Sequence, residues 1–307
     1  MEEAVRPPGS RAQAYLQLLR PANIITAWAD ILAGFAASGA LQLMGLQIGE
    51  RALVHLSWLL IATTGLYGGG VVLNDVFDAD LDATERPERP IPSGQVQRRT
   101  GAILGCLLLL VGVVAAAMVS IFSAVLALAV AIWVVAYDSV GKHNPILGPV
   151  NMGLCRGGNL LLGVSAVVMM VGQLWFLAAL PVIYIAAVTG VSRGEVHGGR
   201  SSTGWLAVVF IGLVILGLMA LFFLPGFAAI RAVPFLLLFA VIVVPPYVRA
   251  AREPQPMRIR VAVRAGVLSL ILLDATLAAG FGGWVFGVLT ALLLPLSLGL
   301  ARLFAVT

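Results

Sequence analysis

Charge is scarce in this sequence. Only 11% of its 307 residues are Asp, Glu, Lys or Arg, and residues 100–137 and 157–192 contain none at all. Hydrophobic residues make up 60% of the chain, against roughly 45–50% in soluble domains. This composition excludes a soluble globular protein. It also gives no reason to expect a nucleic-acid partner, although the pI is about 9.8.

Cysteine and histidine are also rare, with two and three residues respectively. Cys106 and Cys155 lie in separate apolar segments, which excludes a disulfide framework and argues against a Cys-based metal site. The first 20 residues are polar and lack a short apolar segment ahead of a small-residue cleavage site. We therefore expect no cleavable signal peptide.

The long uncharged runs predict the fold class. A helix needs about 20 apolar residues to cross a bilayer, so each uncharged run has room for two crossings. We predict an all-α fold, a polytopic membrane bundle of nine or ten transmembrane helices that forms one domain over residues 1–307. The predicted spans are 21–41, 55–75, 101–119, 122–138, 147–170, 174–192, 205–224, 231–249, 262–280 and 284–303. The last is the least certain, because 262–303 could hold one crossing and a re-entrant piece.

The basic residues predict the orientation of this bundle. If the N-terminus is cytoplasmic, 16 of the 19 Lys and Arg residues fall on the cytoplasmic side, as the positive-inside rule requires. We expect an integral protein of the bacterial inner (plasma) membrane, with its N-terminus and its acidic loop in the cytoplasm.

The acidic loop is the sequence NDVFDADLD at 74–82. On a helix, Asp75, Asp78 and Asp82 share one face, with Asn74 one turn before Asp78. Carboxylates this close repel each other unless they share a cation. Their hard oxygen atoms favour Mg²⁺ over zinc or copper.

Other ionisable residues lie at the predicted cytoplasmic ends of spans, where they could converge into one polar cavity. They are Asp138, Lys142, Arg156, Arg193 and Glu195. The alternative is that they only set helix ends and orientation, and for Lys142 and Arg156 this alternative is equally open. Asp30 and Asp274 lie in mid-span. Each is either a polar group on the acceptor side of a site or a structural acid between helices.

The sequence resembles the UbiA superfamily of intramembrane prenyltransferases. NDVFDADLD fits the signature NDxxDxxxD, RPERPIPSG fits its continuation, and RPAN at 20–23 and Tyr137 with Lys142 are further matches. The resemblance implies a bundle of about nine helices that transfers a polyprenyl chain from an isoprenyl diphosphate to a small, often aromatic, acceptor.

The resemblance also implies roles for individual residues. Asn74, Asp75, Asp78 and Asp82 would hold Mg²⁺ and, through it, the diphosphate. Further candidates for contact with the substrates are Asn23, Arg86, Arg89, Tyr137, Lys142, Arg156 and Glu195. For Asn23, a role at the helix end is equally open. The membrane lipid, an isoprenyl diphosphate and a small acceptor are then the expected partners.

One part of the family pattern is missing. The second acidic motif is expected after the sixth span, where this chain reads TGVSRGEVHGG, with Glu195 as the one carboxylate and Ser192 and Arg193 at positions of acids. Arg193 could replace a second metal ion, the pocket could bind a different ligand with one metal, or catalysis could be lost in favour of binding or exporting a lipid or metabolite. With CRGGN at 155–159, this pattern resembles the EboC-like branch of the superfamily.

Overall fold

The computed structural model describes residues 11–40 and 45–303, and within this part of the chain all regular structure is helical. Fourteen α-helices follow one another: α1 Arg11–Leu19, α2 Pro21–Ser38, α3 Gly45–Phe77, α4 Ala79–Glu85, α5 Arg98–Ala117, α6 Ile121–Ser139, α7 Leu147–Val164, α8 Val168–Leu174, α9 Ala179–Ser192, α10 Ser201–Ala220, α11 Ala229–Arg252, α12 Pro256–Gly282, α13 Trp284–Ala291 and α14 Leu293–Leu303. The prediction of an all-α fold is confirmed.

Within residues 11–40 and 45–303, eight segments are long and apolar enough to cross a membrane. They lie on α3, α5, α6, α8 with α9, α10, α11, α12, and α13 with α14. The predicted first and fifth spans correspond to α2 and α7, which are 18 residues long and are not among the eight. The helices therefore establish a polytopic bundle, whereas the count of nine or ten spans stays a prediction.

Two predicted boundaries differ from the structure. The predicted spans 147–170 and 174–192 leave the turn at 171–173, where Gly172 and Gln173 lie, but α7 ends at Val164 and α8 runs through both residues. The turn lies at 165–167, where the buried Ser165 hydroxyl lies 2.8 Å from that of Ser123 on α6. At the other uncertain place, 284–302 forms one candidate span, with a break at Leu292.

Local sequence explains where several helices begin. Pro21 and Pro256 occupy the first turns of α2 and α12, where a residue without an N–H group costs no hydrogen bond. Ser120 caps α6, because its hydroxyl accepts a hydrogen bond of 2.9 Å from the Ser123 N–H. These ends set the lengths of the helices that surround the site.

Glycines allow the closest helix contacts. A Cβ atom on Gly34 of α2 would lie 2.1 Å from the Leu160 carbonyl oxygen of α7, and one on Gly65 of α3 would lie 2.5 Å from that of Leu108 on α5. Close backbone approach through small residues is the usual way that helices associate in membranes. The GLYGGG sequence at 65–70 is thus a surface for helix packing, with Gly65 and Gly69 against the backbone of α5.

α2 and α12 are the most enclosed parts of the bundle. In the most apolar 18-residue stretch of α12, 67% of the residues are buried inside the bundle. The corresponding share is 28% in α5, α6, α10 and α11. α2 packs against α3, α7 and α12, so its polar residues face other helices. The site lies around this centre.

Candidate functional site

The acidic segment starts inside α3 and continues through a break into α4. α3 ends at Phe77, yet the Asp78 N–H donates to the Asn74 carbonyl (2.9 Å) and the Asp82 N–H donates to the Asp78 carbonyl (2.8 Å). Because the helical hydrogen bonds continue across the break, the acids of α3 and α4 stay on one side of the segment. Asp75 and Asp82 are buried, although Asp80 between them is exposed.

Basic side chains neutralise these acids. The Arg89 Nη1 atom lies 3.3 Å from Asp75 Oδ1 and 2.7 Å from Asp82 Oδ2, so a single nitrogen bridges the two carboxylates. Arg20, at the start of α2, forms a second ion pair with Asp75. Asp78 instead pairs with Lys142, which follows α6. Asp75 and Asp82 therefore share the guanidinium of Arg89, whereas Asp78 pairs with the ammonium group of Lys142.

The donor set suits Mg²⁺, which usually takes one or two carboxylates together with phosphate oxygens and water. Asp75 and Asp82 already hold one cationic nitrogen between them. Among residues 11–40 and 45–303, no group of three or more His, Cys, Asp or Glu side chains forms a metal site by itself. A metal ion here would have to displace Arg89 and draw further oxygen ligands from a phosphate.

A cavity of about 290 Å³ opens beside this ion-pair network. Its polar lining residues are Arg20, Asn23, Thr63, Tyr67, Asn74, Tyr137, Asp138, Arg156 and Asn159. The predicted residues Asn23, Asn74, Tyr137 and Arg156 thus share one cavity. The rest of its wall is mostly apolar, with Leu66, Val71, Val130 and Val134 among its members.

Asn74 connects two helices at the cavity wall. Its side-chain amide donates a hydrogen bond of 3.0 Å to Asp138 on α6. An amide that donates in this way presents its oxygen as an acceptor or ligand. The contact also fixes the end of α6, from which Tyr137 and Lys142 enter the site.

At the other side of the cavity, Arg156 is held by α2. Its guanidinium donates to Asp30 Oδ2 (3.0 Å) and to the Thr26 hydroxyl (2.6 Å), and it lies 5.0 Å from the centre of the Tyr67 ring. Asn159 donates to the same Asp30 oxygen at 2.9 Å. Arg156 is therefore part of a buried network and not merely a residue that orients a helix end.

The degenerate second motif lies at the rim of the site. Arg193 is exposed and donates a hydrogen bond of 2.8 Å to the Lys142 carbonyl, so it braces the loop that carries Lys142. Burial raises the pKa of the half-buried Glu195 carboxyl, while the positive charges of Arg260 and Arg86 oppose the rise. The charge of Arg86, in the loop after α4, thus acts on Glu195 in the loop after α9.

Two residues of this site were not among the predicted site residues. Arg20 belongs to the RPAN match, but its ion pair with Asp75 spans 55 positions and has no signal in the sequence. Arg20 is the one non-glycine residue with a positive φ (47°) in the described ranges, and strained backbone of this kind is concentrated at functional sites. Asp138 was noted as a span-end charge, and its contact with Asn74 places it in the cavity wall.

The chain is similar in sequence to known proteins. The family model described as the UbiA prenyltransferase family matches residues 31–257. A digeranylgeranylglyceryl phosphate synthase of Methanothrix thermoacetophila is 34% identical over 148 residues, which are 48% of this chain and 52% of that protein. The enzyme of that name from Methanosarcina mazei is 28% identical over 199 residues, 60% of this chain and 63% of that protein. The chain thus spans only about half to two thirds of these relatives.

Solved structures share the fold. One, described as giving structural and mechanistic insights into digeranylgeranylglyceryl phosphate synthase in membranes, has a TM-score of 0.66 at 19% identity and covers 89% of this chain and 99% of its own. A UbiA homologue from Archaeoglobus fulgidus has a TM-score of 0.64 at 15% identity and covers 91% and 99%. At these identities the likeness shows the fold alone.

Proposed function

The chain belongs to the UbiA prenyltransferase family, and we propose that it is an intramembrane prenyltransferase. It would move a polyprenyl group from an isoprenyl diphosphate to a small acceptor. The observation that carries the proposal is the bridged pair Asp75 and Asp82 beside a largely apolar cavity. An acid-and-base cluster suits a diphosphate and its metal ion, and an apolar cavity suits a prenyl chain.

Mg²⁺ is the proposed cofactor, with Asn74, Asp75, Asp78 and Asp82 as the residues that would hold it. When bound, Mg²⁺ would neutralise the charge that develops on the diphosphate as its bond to the prenyl carbon breaks. A structure of a UbiA homologue from Archaeoglobus fulgidus is described as bound to GPP and Mg²⁺. That ligand set belongs to that protein, and for this chain the metal is a proposal.

The basic residues would change partners when substrate binds. Arg89, Arg20 and Lys142 neutralise the acids in the structure, and a metal ion on the acids would free their N–H groups for phosphate oxygens. Arg86 would join them from the following loop. Charged N–H groups aimed at phosphate stabilise the leaving group because its negative charge grows in the transition state.

The cavity would shelter the allylic cation from water. Tyr67 and Tyr137 line it, and an aromatic face attracts a cation. The predicted aromatic acceptor remains a prediction, since the relatives are named for a glyceryl phosphate product. Nothing in the cavity lining selects one acceptor class by itself.

The proposed location is the bacterial inner membrane, with the acidic loop in the cytoplasm. Support comes from the helix ends at the site. The start of α2 and the ends of α3, α6 and α9 lie together there, joined by the contacts of Arg20, Asn74 and Lys142. The basic residues concentrate at this end of the bundle, which the positive-inside rule assigns to the cytoplasm.

A second candidate function is favoured by the altered second motif. Glu195 is its one carboxylate, and Arg193 is bound to the Lys142 carbonyl. A protein without the second set of acids could bind an isoprenyl diphosphate, or another lipid or metabolite, and carry or export it without releasing diphosphate. The assignment to the EboC-like branch belongs with this candidate and stays a prediction.

The deciding experiment measures diphosphate release from geranyl, farnesyl and geranylgeranyl diphosphate by the purified protein in lipid nanodiscs, with a glyceryl phosphate or an aromatic acceptor present to take the prenyl group. We expect Mg²⁺-dependent release that falls at least about 100-fold in Asp78→Asn. Asp80→Asn is the matched control, because Asp80 is exposed and pairs with Arg98 on the surface. Metal-dependent binding without release would favour the second candidate, and neither binding nor release would overturn the proposal.

A further inference from the structure

Three ionisable side chains meet in the interior of the bundle, away from the acidic motif. They are Asp30 on α2, Arg156 on α7 and Asp274 on α12. Asp30 and Asp274 are completely buried, and Arg156 is 7% exposed. Charged residues at such depth are costly and are functional candidates by default.

The hydrogen bonds in this cluster are unevenly distributed. Asp30 Oδ2 accepts from both Arg156 (3.0 Å) and Asn159 (2.9 Å). In contrast, Asp30 Oδ1 and both carboxyl oxygens of Asp274 have no donor. Asp274 lies beside Asp30, within hydrogen-bonding reach, on helices that pack closely against each other. Two acceptor atoms that face each other without a donor are unfavourable.

A count of charges shows what is missing. The cluster holds two carboxyl groups and one guanidinium, so with both acids ionised it carries a net negative charge in an apolar interior. A buried uncompensated charge is far more costly than a neutral group. One hydrogen between Asp274 and Asp30 Oδ1 removes that charge and also supplies the missing hydrogen bond.

We propose that Asp30 and Asp274 form a buried proton-binding site whose occupancy is set by Arg156. The site holds one proton, shared between the two carboxyls, while Arg156 neutralises the remaining charge. This proposal goes beyond the proposed function and does not depend on it, because it concerns the free protein. A metal ion at this place would need a set of oxygen ligands. A single proton needs only the two carboxyl groups of Asp30 and Asp274, which already lie side by side.

The buried proton site adjoins the cavity, because two residues belong to both. Arg156 and Asn159 bind Asp30 and also line the cavity wall. Because the cluster as a whole is neutral, a ligand at this end of the cavity meets a guanidinium whose charge is already balanced. The proton site thereby makes the inner wall suited to an uncharged group, such as a prenyl chain, and not to a second anion.

Few other titratable groups approach the site. Tyr67 of α3 lies against the Arg156 guanidinium, and Tyr184 of α9 approaches Asp274 but donates its hydroxyl hydrogen to the Gly266 carbonyl at 2.8 Å. The charged side chains of α11, α12 and α14 other than Asp274 are not buried in the described residues: Arg231, Arg249, Arg252, Arg258, Arg260, Arg264 and Arg302. The proton count is therefore governed by the two acids and Arg156.

The test is an infrared spectrum of the protein in lipid vesicles, in H₂O and D₂O, for the carbonyl stretch of protonated carboxylic acids. We expect one such band in the difference spectrum of wild type minus Asp274→Asn, because this variant leaves Asp30 ionised and paired with Arg156. The same band should appear in wild type minus Asp30→Asn, because the remaining acid, Asp274, then has the Arg156 charge to itself. Protonated carboxyl groups elsewhere in the protein cancel in the subtraction. Arg156→Gln should instead double this band, since both acids must then be neutral.

Asp80→Asn is the control and should leave the spectrum unchanged, because Asp80 is exposed. Helical circular dichroism verifies that each variant is folded, and the two Asp→Asn variants suffice if Arg156→Gln is not. Difference spectra that lack this band for both Asp→Asn variants would overturn the proposal. So would a folded Arg156→Gln variant whose band does not increase.

Discussion

Arg89 holds together the two most buried acids of the first motif. Its Nη1 atom contacts both Asp75 and Asp82, so the guanidinium takes the place between carboxylates that the sequence assigns to a metal ion. In the free protein, the repulsion predicted from the acid spacing is therefore relieved by the chain itself. Binding of Mg²⁺ would have to be an exchange of one cation for another.

Arg89→Ala should lower the stability of the metal-free protein by roughly 1–3 kcal/mol, because two buried carboxylates lose a hydrogen-bonding partner. Mg²⁺ should recover much of the loss by binding between them. Thermal unfolding in detergent with and without Mg²⁺ measures both effects. Arg98→Ala is the control, since its pair with Asp80 is exposed. A variant that Mg²⁺ does not stabilise more than the wild type would contradict the exchange.

Glu195 permits a prediction about pH. Burial raises its pKa in the folded protein, so its favourable contribution to stability is complete below the pKa of the unfolded chain and is lost as the pH rises through the folded pKa. Glu195→Gln should therefore be more stable than the wild type at neutral pH. The difference should shrink on acidification, which denaturation at a series of pH values would measure. A difference that does not vary with pH would refute this.

The sequence predicts which acids share a helix face better than which residues they contact. Spacing alone predicts a shared helix face, because a helix brings residues three and four positions apart onto one side. This applies to Asn74, Asp75, Asp78 and Asp82. The ion pair between Arg20 and Asp75 depends on how α1 and α2 are placed against α3. That placement results from packing over the whole bundle, and no local pattern encodes it.

At the scale of elements, the helices follow from composition, but their ends depend on individual contacts. The uncharged runs predict where spans lie, and the structure places helices there. The end of α7 was misplaced because Gly172 and Gln173 resemble a turn. The chain in fact turns near Ser165, whose hydroxyl donates to the Leu162 carbonyl (2.7 Å), and such a side chain can end a helix locally.

The closest helix contact gives a prediction at this scale. Gly34→Ala should destabilise the bundle by at least about 1–3 kcal/mol, because its Cβ would overlap the Leu160 carbonyl oxygen of α7. Gly212→Ala on α10 is the matched control, since no atom lies within 4 Å of a Cβ there. Thermal unfolding of both variants provides the comparison. Equal midpoints for the two would show that the α2–α7 contact is not tightly packed.

At the scale of the whole molecule, the protein is an asymmetric bundle. The ion pairs of Asp75, Asp78, Asp80 and Asp82 gather around the acidic motif, whereas Asp30 and Arg156 pair in the interior. Basic residues concentrated at one end of a bundle favour the cytoplasmic side for that end, which supports the proposed orientation. The fold class and the family could be recognised from the sequence, whereas the shape of the cavity could not, since it depends on how α2, α3, α6 and α7 pack around it.

The orientation can be measured with single cysteines in a variant that lacks Cys106 and Cys155. Asp80→Cys should react with a membrane-impermeant maleimide only when the reagent has access to the cytoplasmic side. Pro225→Cys, in the exposed turn after α10, should react only from the opposite side. Spheroplasts and inverted vesicles supply the two conditions. The reverse pattern of labelling would contradict the proposed topology.

The buried cluster of Asp30, Arg156 and Asp274 has a consequence for biogenesis. Its members come from helices that are made early, midway and late in translation, and Asp274 is separated from Asp30 by more than two hundred residues. Until α12 is synthesised, α2 lacks the neighbour that encloses Asp30. The growing chain must therefore keep polar side chains away from lipid for most of its synthesis, and the arrival of α12 is the event that closes the molecule.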